Sequence, residues 1–501
     1  MIEISLETLA EVTGGQLVKS NSTIETINYL ITDSRELAKN SHKQCAFLAL
    51  KGPNFDGHRF TEQVESQGCV LLIVEHLVEV KQGCAQLIVD NTRLALGNIA
   101  AYVKASVAPK TVGITGSSGK TTVKEMVAAI LSQLGNVLAT QGNFNNDIGV
   151  PLTLLRLDHK HDFAVIEMGA NHIGEIAYTT GLTRPDVAVI NNIAAAHLEG
   201  FGDLCGVARA KGEIFSGLGA KGVALYNQDT QFTDKWQWRL TDKVVRTFSC
   251  VNKASCYSSQ VVLDASGCAS FKLNTATDSI DIFLKVPGQH NVCNAVAAAA
   301  IALEFGASLD DIAQGLAQMQ AVKGRLNLYQ FYDENSACHI KLIDDSYNAN
   351  LDSTKAAAQL LSTYPGKKLL ILGDMGELGS EARRYHQEVG EFANTLQLNT
   401  LLTLGVLSQN ASDAFAKNNS SNEKSKHFNQ RAALVTYLCS MLETELQARP
   451  TDIAILIKGS RSAHMEKVVA ALMAWFKEMT IKPITTLGVN TPDNRNKKGN
   501  V

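Results

Sequence analysis

Apolar runs of strand length, separated by polar turns and helix-like stretches, organise this chain into three successive blocks. The first runs to about Val107, with Ala46–Leu50 and Val70–Val74 as strand-like runs. Ala108-Pro109-Lys110 marks its end, because proline interrupts regular pairing. The second opens on Thr111–Thr115, a strand entering a glycine-rich turn, and continues through Phe163–Ile166, Val187–Ile190 and Val223–Tyr226. Strands alternating with helices predict a mostly parallel sheet covered on both faces. An alanine-rich helix over Ala295–Leu303 leads to the block's end near Gln320. The third block repeats the pattern with Lys341–Asp344, Leu369–Leu372, Leu401–Leu404 and Ile453–Ile457. Lys417 to Lys426 reads as a polar surface loop. Beyond Lys482 the chain turns polar, with Pro483, Pro492 and a basic Arg495/Lys497/Lys498 cluster, which predicts a mobile tail.

The expected fold class is therefore α/β in three domains. They are a small α/β unit over 1–108, a central unit with a mostly parallel sheet over 109–320, and a Rossmann-like unit over 321–482, with a tail over 483–501. A length of 501 residues agrees with three domains at about 150 residues each. No repeat of about 20 to 50 residues is present, which excludes a solenoid.

Apolar residues are 45% of the chain and charged residues 19%, with a net charge of −3. That balance disfavours a polyanion binder, so no nucleic-acid partner is expected. The start, Met1 to Glu7, has no basic stretch of the signal-peptide kind. The most apolar run is far shorter than the ~20 residues that cross a bilayer, so no membrane insertion is expected. A cytoplasmic location and a monomeric state are the expectations. Ten cysteines are scattered without a CxxC pair, which argues against zinc-ribbon and thioredoxin-type chemistry and predicts reduced thiols.

Gly116-Ser117-Ser118-Gly119-Lys120-Thr121-Thr122 is the strongest chemical signal. A strand precedes it and a helix over about Val123–Leu134 follows. Glycines let the backbone curl around phosphate, N–H groups at a helix start face the anion, and Lys120 adds positive charge. Thr121 would place a hydroxyl on Mg²⁺. The loop is shorter than the usual one, because Ile114 stands where the first glycine belongs.

Other candidates lie at strand ends, where ligands collect in open α/β sheets. Glu167 ends the strand Phe163–Ile166 and His197 lies beyond Val187–Ile190. A carboxylate and an imidazole near a triphosphate make a plausible metal environment, although a solvated acid and a capping or core histidine are the plain alternatives. Lys211, beside Gly212-Glu213, reads from its residues alone as a surface lysine. Arg325 follows Gly324 at the second junction, where an inter-domain ion pair competes with phosphate binding. Asp344 to Asn350 and Lys458-Gly459-Ser460-Arg461 end strands of the third block. Gly373-Asp374-Met375-Gly376-Glu377 also ends a strand, but a structural turn explains it equally well.

These residues resemble the Mur ligases, ATP-dependent amide-forming enzymes of peptidoglycan precursor synthesis. The motifs fall in order over about residues 30 to 470, including Gly288 to Asn294, Gly324-Arg325 and Asp345 to Asn350. Asn143 to Pro151, Gly169 to His172, Ala194 to Gly202 and Ala210 to Phe215 look like the branch that acts on UDP-N-acetylmuramoyl-tripeptide and D-alanyl-D-alanine. The resemblance implies that the first block holds the UDP end of the acceptor, through Ser34, Arg35, Lys51, Asp56, Gly57 and His58. The central block would be a P-loop ATPase. Asn291 and Asn294 would lie near adenine, and Arg325 and Asp345 would hold phosphate and ribose. Asn145, Asn146, Tyr347, Asn348, Lys458, Ser460 and Arg461 would face the peptide substrates. The resemblance also implies two Mg²⁺ ions, held by Thr121, Glu167, His197 and a carbamylated Lys211. Lys120, His197, Lys211 and Arg325 would be the catalytic set. Asp493-Asn494-Arg495 lacks the proline of the Asp-Asn-Pro-Arg motif found in diaminopimelate-adding relatives and is not credited.

Amide formation in water is uphill, and phosphorylating the carboxylate supplies a good leaving group. The implied reaction is therefore attack of the D-alanyl-D-alanine amine on an acyl phosphate, giving the pentapeptide precursor, ADP and phosphate. The nearest rival is another Mur-type or folylpolyglutamate-type amide ligase. A nucleotide-driven switch is a further rival from another class.

Overall fold

The computed structural model describes residues 1–18, 24–39, 44–81, 83–417, 425–448 and 451–484. Within them the strand-forming runs assemble into three main sheets in chain order. The first has the spatial order Gln16–Val18, Ala85–Ile88, Leu71–Val74, Cys45–Leu48, Tyr29–Ile31. Its first pair is antiparallel and the remaining pairs are parallel. The helix Thr92–Val107 follows, started by Asn91, whose side chain accepts from Leu94 N at 3.0 Å. It stops at Ala108, which is left-handed at φ +49°, immediately before Pro109. The proline boundary read from the sequence is thus a helix end. It does not divide the hydrophobic packing: Leu96 and Ile99 share a buried cluster with Ala164, Ile166 and Ile176 of the central unit.

The central sheet has nine strands. Val137–Ala139, Phe163–Glu167, Lys110–Thr115, Val187–Ile190, Val223–Asn227, Val244–Ser249 and Cys256–Leu263 run parallel. Cys268–Asn274 and Ser279–Pro287 extend it antiparallel. Two helices cover one face, Lys120–Leu131 and the alanine-rich His290–Glu304. Alanines from 295 to 302 are buried to 5% exposure or less, and their small side chains let the helix approach the sheet closely.

The third sheet has the order Ser425–Phe428, Thr400–Leu404, Lys367–Gly373, Ile453–Lys458, Cys338–Asp345, Asn327–Asp333, Lys482–Pro483. It is parallel up to Cys338–Asp345 and antiparallel at the last two strands. The sequence pattern missed those two edges. Pro483 was expected in the tail, yet it pairs with Phe331, and Ile484 N donates to Gln330 O at 2.8 Å. An edge strand tolerates proline because the missing donor faces away from the ladder. The rest of the expected tail, with Pro492 and the basic cluster, lies outside the described residues. So do residues 418–424 of the expected polar loop, whose ends join the helix Gln409–Lys417 and the strand Ser425–Phe428.

Two of the cysteines are neighbours in the fold: Cys250, just past Val244–Ser249, lies against Cys293 in the first turn of His290–Glu304, with Cα atoms 5.6 Å apart. The other eight cysteines form no disulfide. Among the described residues no helix is long and apolar enough to cross a membrane.

Candidate active site

The strand Lys110–Thr115 sits between Phe163–Glu167 and Val187–Ile190, so three strand ends open into one cleft of about 560 Å³. The predicted phosphate loop occupies the middle of it. Gly119 is left-handed at φ +76° and starts the helix Lys120–Leu131. A Cβ there would stand 2.3 Å from Asn294 Oδ1 and 2.6 Å from Asn191 Nδ2, so both conformation and space require glycine.

Amide side chains hold this short loop in shape. Ser118 N donates to Asn192 Oδ1 at 2.8 Å. Asn191 Nδ2 donates to Ser118 O and to Asn294 Oδ1, both at 3.0 Å. Asn294 Nδ2 donates in turn to Asn291 Oδ1 at 2.9 Å. Ser117 Oγ donates to Ala194 O at 3.0 Å and accepts from Ala194 N at 2.9 Å. Asn291 and Asn294 thus line the cleft while also serving this ladder. Asn191 and Asn192 were not singled out from the sequence. Their signal was two consecutive amides just beyond the strand Val187–Ile190.

Lys120 Nζ donates to Gly116 O at 2.7 Å, and burial lowers its pKa against the pull of Glu167. The Thr121 hydroxyl donates to Glu167 Oε2 at 2.9 Å and accepts from Arg325 Nη2 at 2.9 Å. Asn145 Nδ2 donates to Glu167 Oε1 at 2.8 Å. One chain of contacts therefore joins the phosphate loop, the strand-end acid, the 143–151 loop and the hinge arginine. Asn146 lines the same cleft, and its Oδ1 caps the Gly149–Leu154 turn by accepting from Gly149 N at 2.8 Å. Thr122 completes the loop wall.

His197 is left-handed at φ +55°, and its Nδ1 lies 2.5 Å from a Glu377 carboxylate oxygen. That contact and the Lys120 charge hold the Glu377 carboxyl below its usual range, against partial burial. Lys211 is not a surface lysine. It is 1% exposed, with its Nζ 5.8 Å from the Phe201 ring centre, and no acidic side chain pairs with it among the described residues. Burial first, and the Lys120 charge second, drive its pKa well below the ordinary lysine value. Composition could not show this, because burial of a lysine is a tertiary fact.

On the C-terminal side, Arg325 stacks on Tyr347 at 4.5 Å, with Arg461 at 5.8 Å from the same ring. Lys458 is buried and donates to Asp345 Oδ2 at 2.6 Å and to Asn348 O at 2.9 Å. Burial raises the Asp345 carboxyl, and Lys458 and Arg325 oppose the rise. Tyr347, Asn348 and Arg461 line the cleft. Ser460 is buried, its N–H donating to Asp374 O at 2.9 Å.

The N-terminal candidates stand outside this cleft. Arg35 forms a bidentate pair with Asp33 in an exposed turn. Asp56 caps Gly57–Phe60 and contacts His58 Nδ1 at 2.7 Å, while His58 Nε2 accepts from Glu75 N at 2.9 Å. Gly57 admits no side chain, since a Cβ would lie 2.9 Å from the Ala49 backbone. Lys51 pairs with Asp56 in the short hairpin, and Ser34 opens the turn Ser34–Lys39.

Among the described residues no group of three or more His, Cys, Asp or Glu side chains could hold a metal alone. A hydroxyl and a buried carboxylate 2.9 Å apart fit Mg²⁺ of another kind, bound through a few protein oxygens, waters and substrate phosphates.

Residues 114–302 match the family model described as the Mur ligase middle domain, and 324–461 match the one described as the Mur ligase, glutamate ligase domain. The chain is 46% identical over 472 residues to UDP-N-acetylmuramoyl-tripeptide–D-alanyl-D-alanine ligase of Escherichia coli, covering 94% of this chain and 99% of that one. It is 32% identical over 483 residues to the enzyme of the same name from Bacillus subtilis, covering 94% and 99%. A crystal structure of MurF from Acinetobacter baumannii superposes with a TM-score of 0.86 at 38% identity, covering 95% of this chain and 99% of that one.

Proposed function

Because this chain belongs to the Mur ligase family, we propose that it joins D-alanyl-D-alanine to UDP-N-acetylmuramoyl-tripeptide in an ATP-dependent reaction, releasing ADP and phosphate. The observation that carries this reading is the contact chain Arg325–Thr121–Glu167–Asn145, which gathers cation, hydroxyl, carboxylate and amide in one cleft. In this reading residues 1–108 hold the UDP end of the acceptor, 109–320 bind ATP, and 321–482 bring in the amine. The setting is cytoplasmic and the working unit a monomer.

The first half-reaction moves the γ-phosphoryl group to the tripeptide carboxylate. Backbone N–H groups at the start of Lys120–Leu131 face the phosphates, and Lys120 swings from Gly116 O onto them. Arg325 adds a planar fork from the far side of the cleft, fixed by its stacking on Tyr347. Mg²⁺, when bound, neutralises phosphate charge and polarises the transferring group. Thr121, Glu167 and His197 would hold it. Lys211 would join them as a carbamate, because a lysine held neutral by burial is the form that reacts with CO₂ and becomes a carboxylate-like ligand. In the second half-reaction the dipeptide amine attacks the acyl phosphate, and the cations that held the phosphate stabilise the oxyanion. Seating of the C-terminal unit excludes water that would hydrolyse the intermediate.

The deciding experiment is phosphate release from ATP with Mg²⁺, UDP-N-acetylmuramoyl-tripeptide and D-alanyl-D-alanine, each omitted in turn. Release that needs both peptide substrates, with pentapeptide product by mass, supports the reading. Release indifferent to both refutes the substrates.

A further inference from the structure

The turn after the strand Lys367–Gly373 carries an acid that the mechanism above leaves unused. Its backbone is fixed from several sides. Asp374 accepts from Val406 N at 2.9 Å and from Ser408 N at 2.8 Å. Met375 N donates to His386 Nε2 at 2.9 Å, and Met375 and Leu378 are buried. A turn held this way projects Glu377 out of the C-terminal unit toward the central one.

Opposite it stands His197. Both residues are left-handed, Glu377 at φ +61° and His197 at φ +55°. Neither is glycine, and the left-handed region is unfavourable for a residue with a Cβ, so the surroundings must impose the conformation. The Glu377 carboxylate reaches to 2.5 Å from His197 Nδ1. The Glu377 carbonyl also accepts from Glu199 N at 3.4 Å, so side chain and backbone meet the same short segment.

We infer, resting on the ligase reading, that Glu377 is a positioning residue whose carboxylate holds the His197 ring across the junction of the central and C-terminal units. With Nδ1 facing that carboxylate at ion-pair distance, Nε2 is the ring nitrogen left to serve the phosphate site, and a carboxylate beside one nitrogen orients the other. His197 is then set only while the C-terminal unit is seated. Closure and completion of the site become one event.

The test compares Glu377→Ala, Glu377→Gln, His197→Ala and the double variant Glu377→Ala/His197→Ala. Glu381→Ala is the control, since that side chain pairs with Arg384 at 3.0 Å on the exposed side. Glu377→Ala is expected to lower kcat about tenfold with KM for ATP within about twofold, and Glu377→Gln, which keeps an acceptor oxygen, to recover part of the loss. Small-angle X-ray scattering with Mg²⁺ and a non-hydrolysable ATP analogue gives a readout independent of turnover. Wild type contracts, Glu377→Ala contracts less, and adding Glu377→Ala to His197→Ala changes nothing further, because residues acting through one contact are not additive. Wild-type kcat and contraction in Glu377→Ala would overturn the inference, as would two effects that simply add. If wild type makes no peptide product, the ligase reading falls, and the scattering comparison alone decides whether Glu377 joins the two units through His197.

Discussion

Arg325 Nη2 donates to Thr121 Oγ1 at 2.9 Å, across 204 residues of sequence. The arginine belongs to the start of the C-terminal unit and the threonine to the phosphate loop, so this contact spans the junction at the point where triphosphate would lie. Arg325 Nε is buried without a hydrogen-bond partner, which leaves donor capacity for a ligand. Arg325→Ala is expected to lower kcat about 10²–10³-fold, the usual loss on removing one transition-state charge donor. Arg325→Lys is expected to recover little, because an ammonium supplies neither the fork nor the stacking on Tyr347. Steady-state phosphate release in the two variants checks this.

Lys211 carries a pH argument. Burial holds its pKa well below the ordinary value of 10.5, so the folded chain keeps a neutral amine over a range where the unfolded chain is protonated. The unfolded state binds more protons there, so stability rises with pH through that range and falls as pH drops. Carbamylation removes the liability. Stripping CO₂ at neutral pH is therefore expected to lower the melting temperature of wild type and leave Lys211→Met unchanged. Turnover lost in Lys211→Ala is expected to return with short carboxylic acids. Melting curves with and without bicarbonate, and ¹³C NMR with labelled bicarbonate, test both parts.

The parallel cores were legible because strands buried on both faces are short, near-continuous apolar runs set between helical stretches. The nucleotide loop was legible because glycine, lysine and threonine are placed by the chemistry of phosphate. Glu167 and His197 could be placed at strand ends, yet their partners Thr121 and Glu377 needed the fold. The edge strand Asn327–Asp333 was missed because it mixes polar residues with aromatics and follows a hinge motif that drew another reading. Asn191 and Asn192 were missed because amides that bind backbone have no charge and no fixed spacing.

Those amides make a sharp prediction. Asn191 is 2% exposed, and its Nδ2 faces two acceptors, Ser118 O and Asn294 Oδ1. Asn191→Ala leaves both unsatisfied, at about 1–3 kcal/mol of stability. Asn191→Asp is expected to be worse, because a carboxylate is acceptor-only and would meet two acceptors. Calorimetric melting should rank wild type above alanine above aspartate. ADP titration should show affinity falling in the same order as the loop loosens.

The Lys458–Asp345 pair separates a structural from a substrate role for Lys458. Lys458 is 2% exposed and spends two donors on Asp345 and Asn348 O, so little of it is left to meet a substrate. Removing one member strands the other charge, which costs about 3–5 kcal/mol. Lys458→Met is expected to lose that much. The double variant Lys458→Met/Asp345→Leu is expected to recover most of it, since an apolar pair removes both desolvation penalties. Urea unfolding of the two variants measures the recovery. A fully recovered fold with absent turnover would place the functional demand on the pair itself, through Asp345 at the nucleotide cleft. Low stability in both variants would instead mean that the Asn348 carbonyl, left without its donor, is what Lys458 chiefly serves.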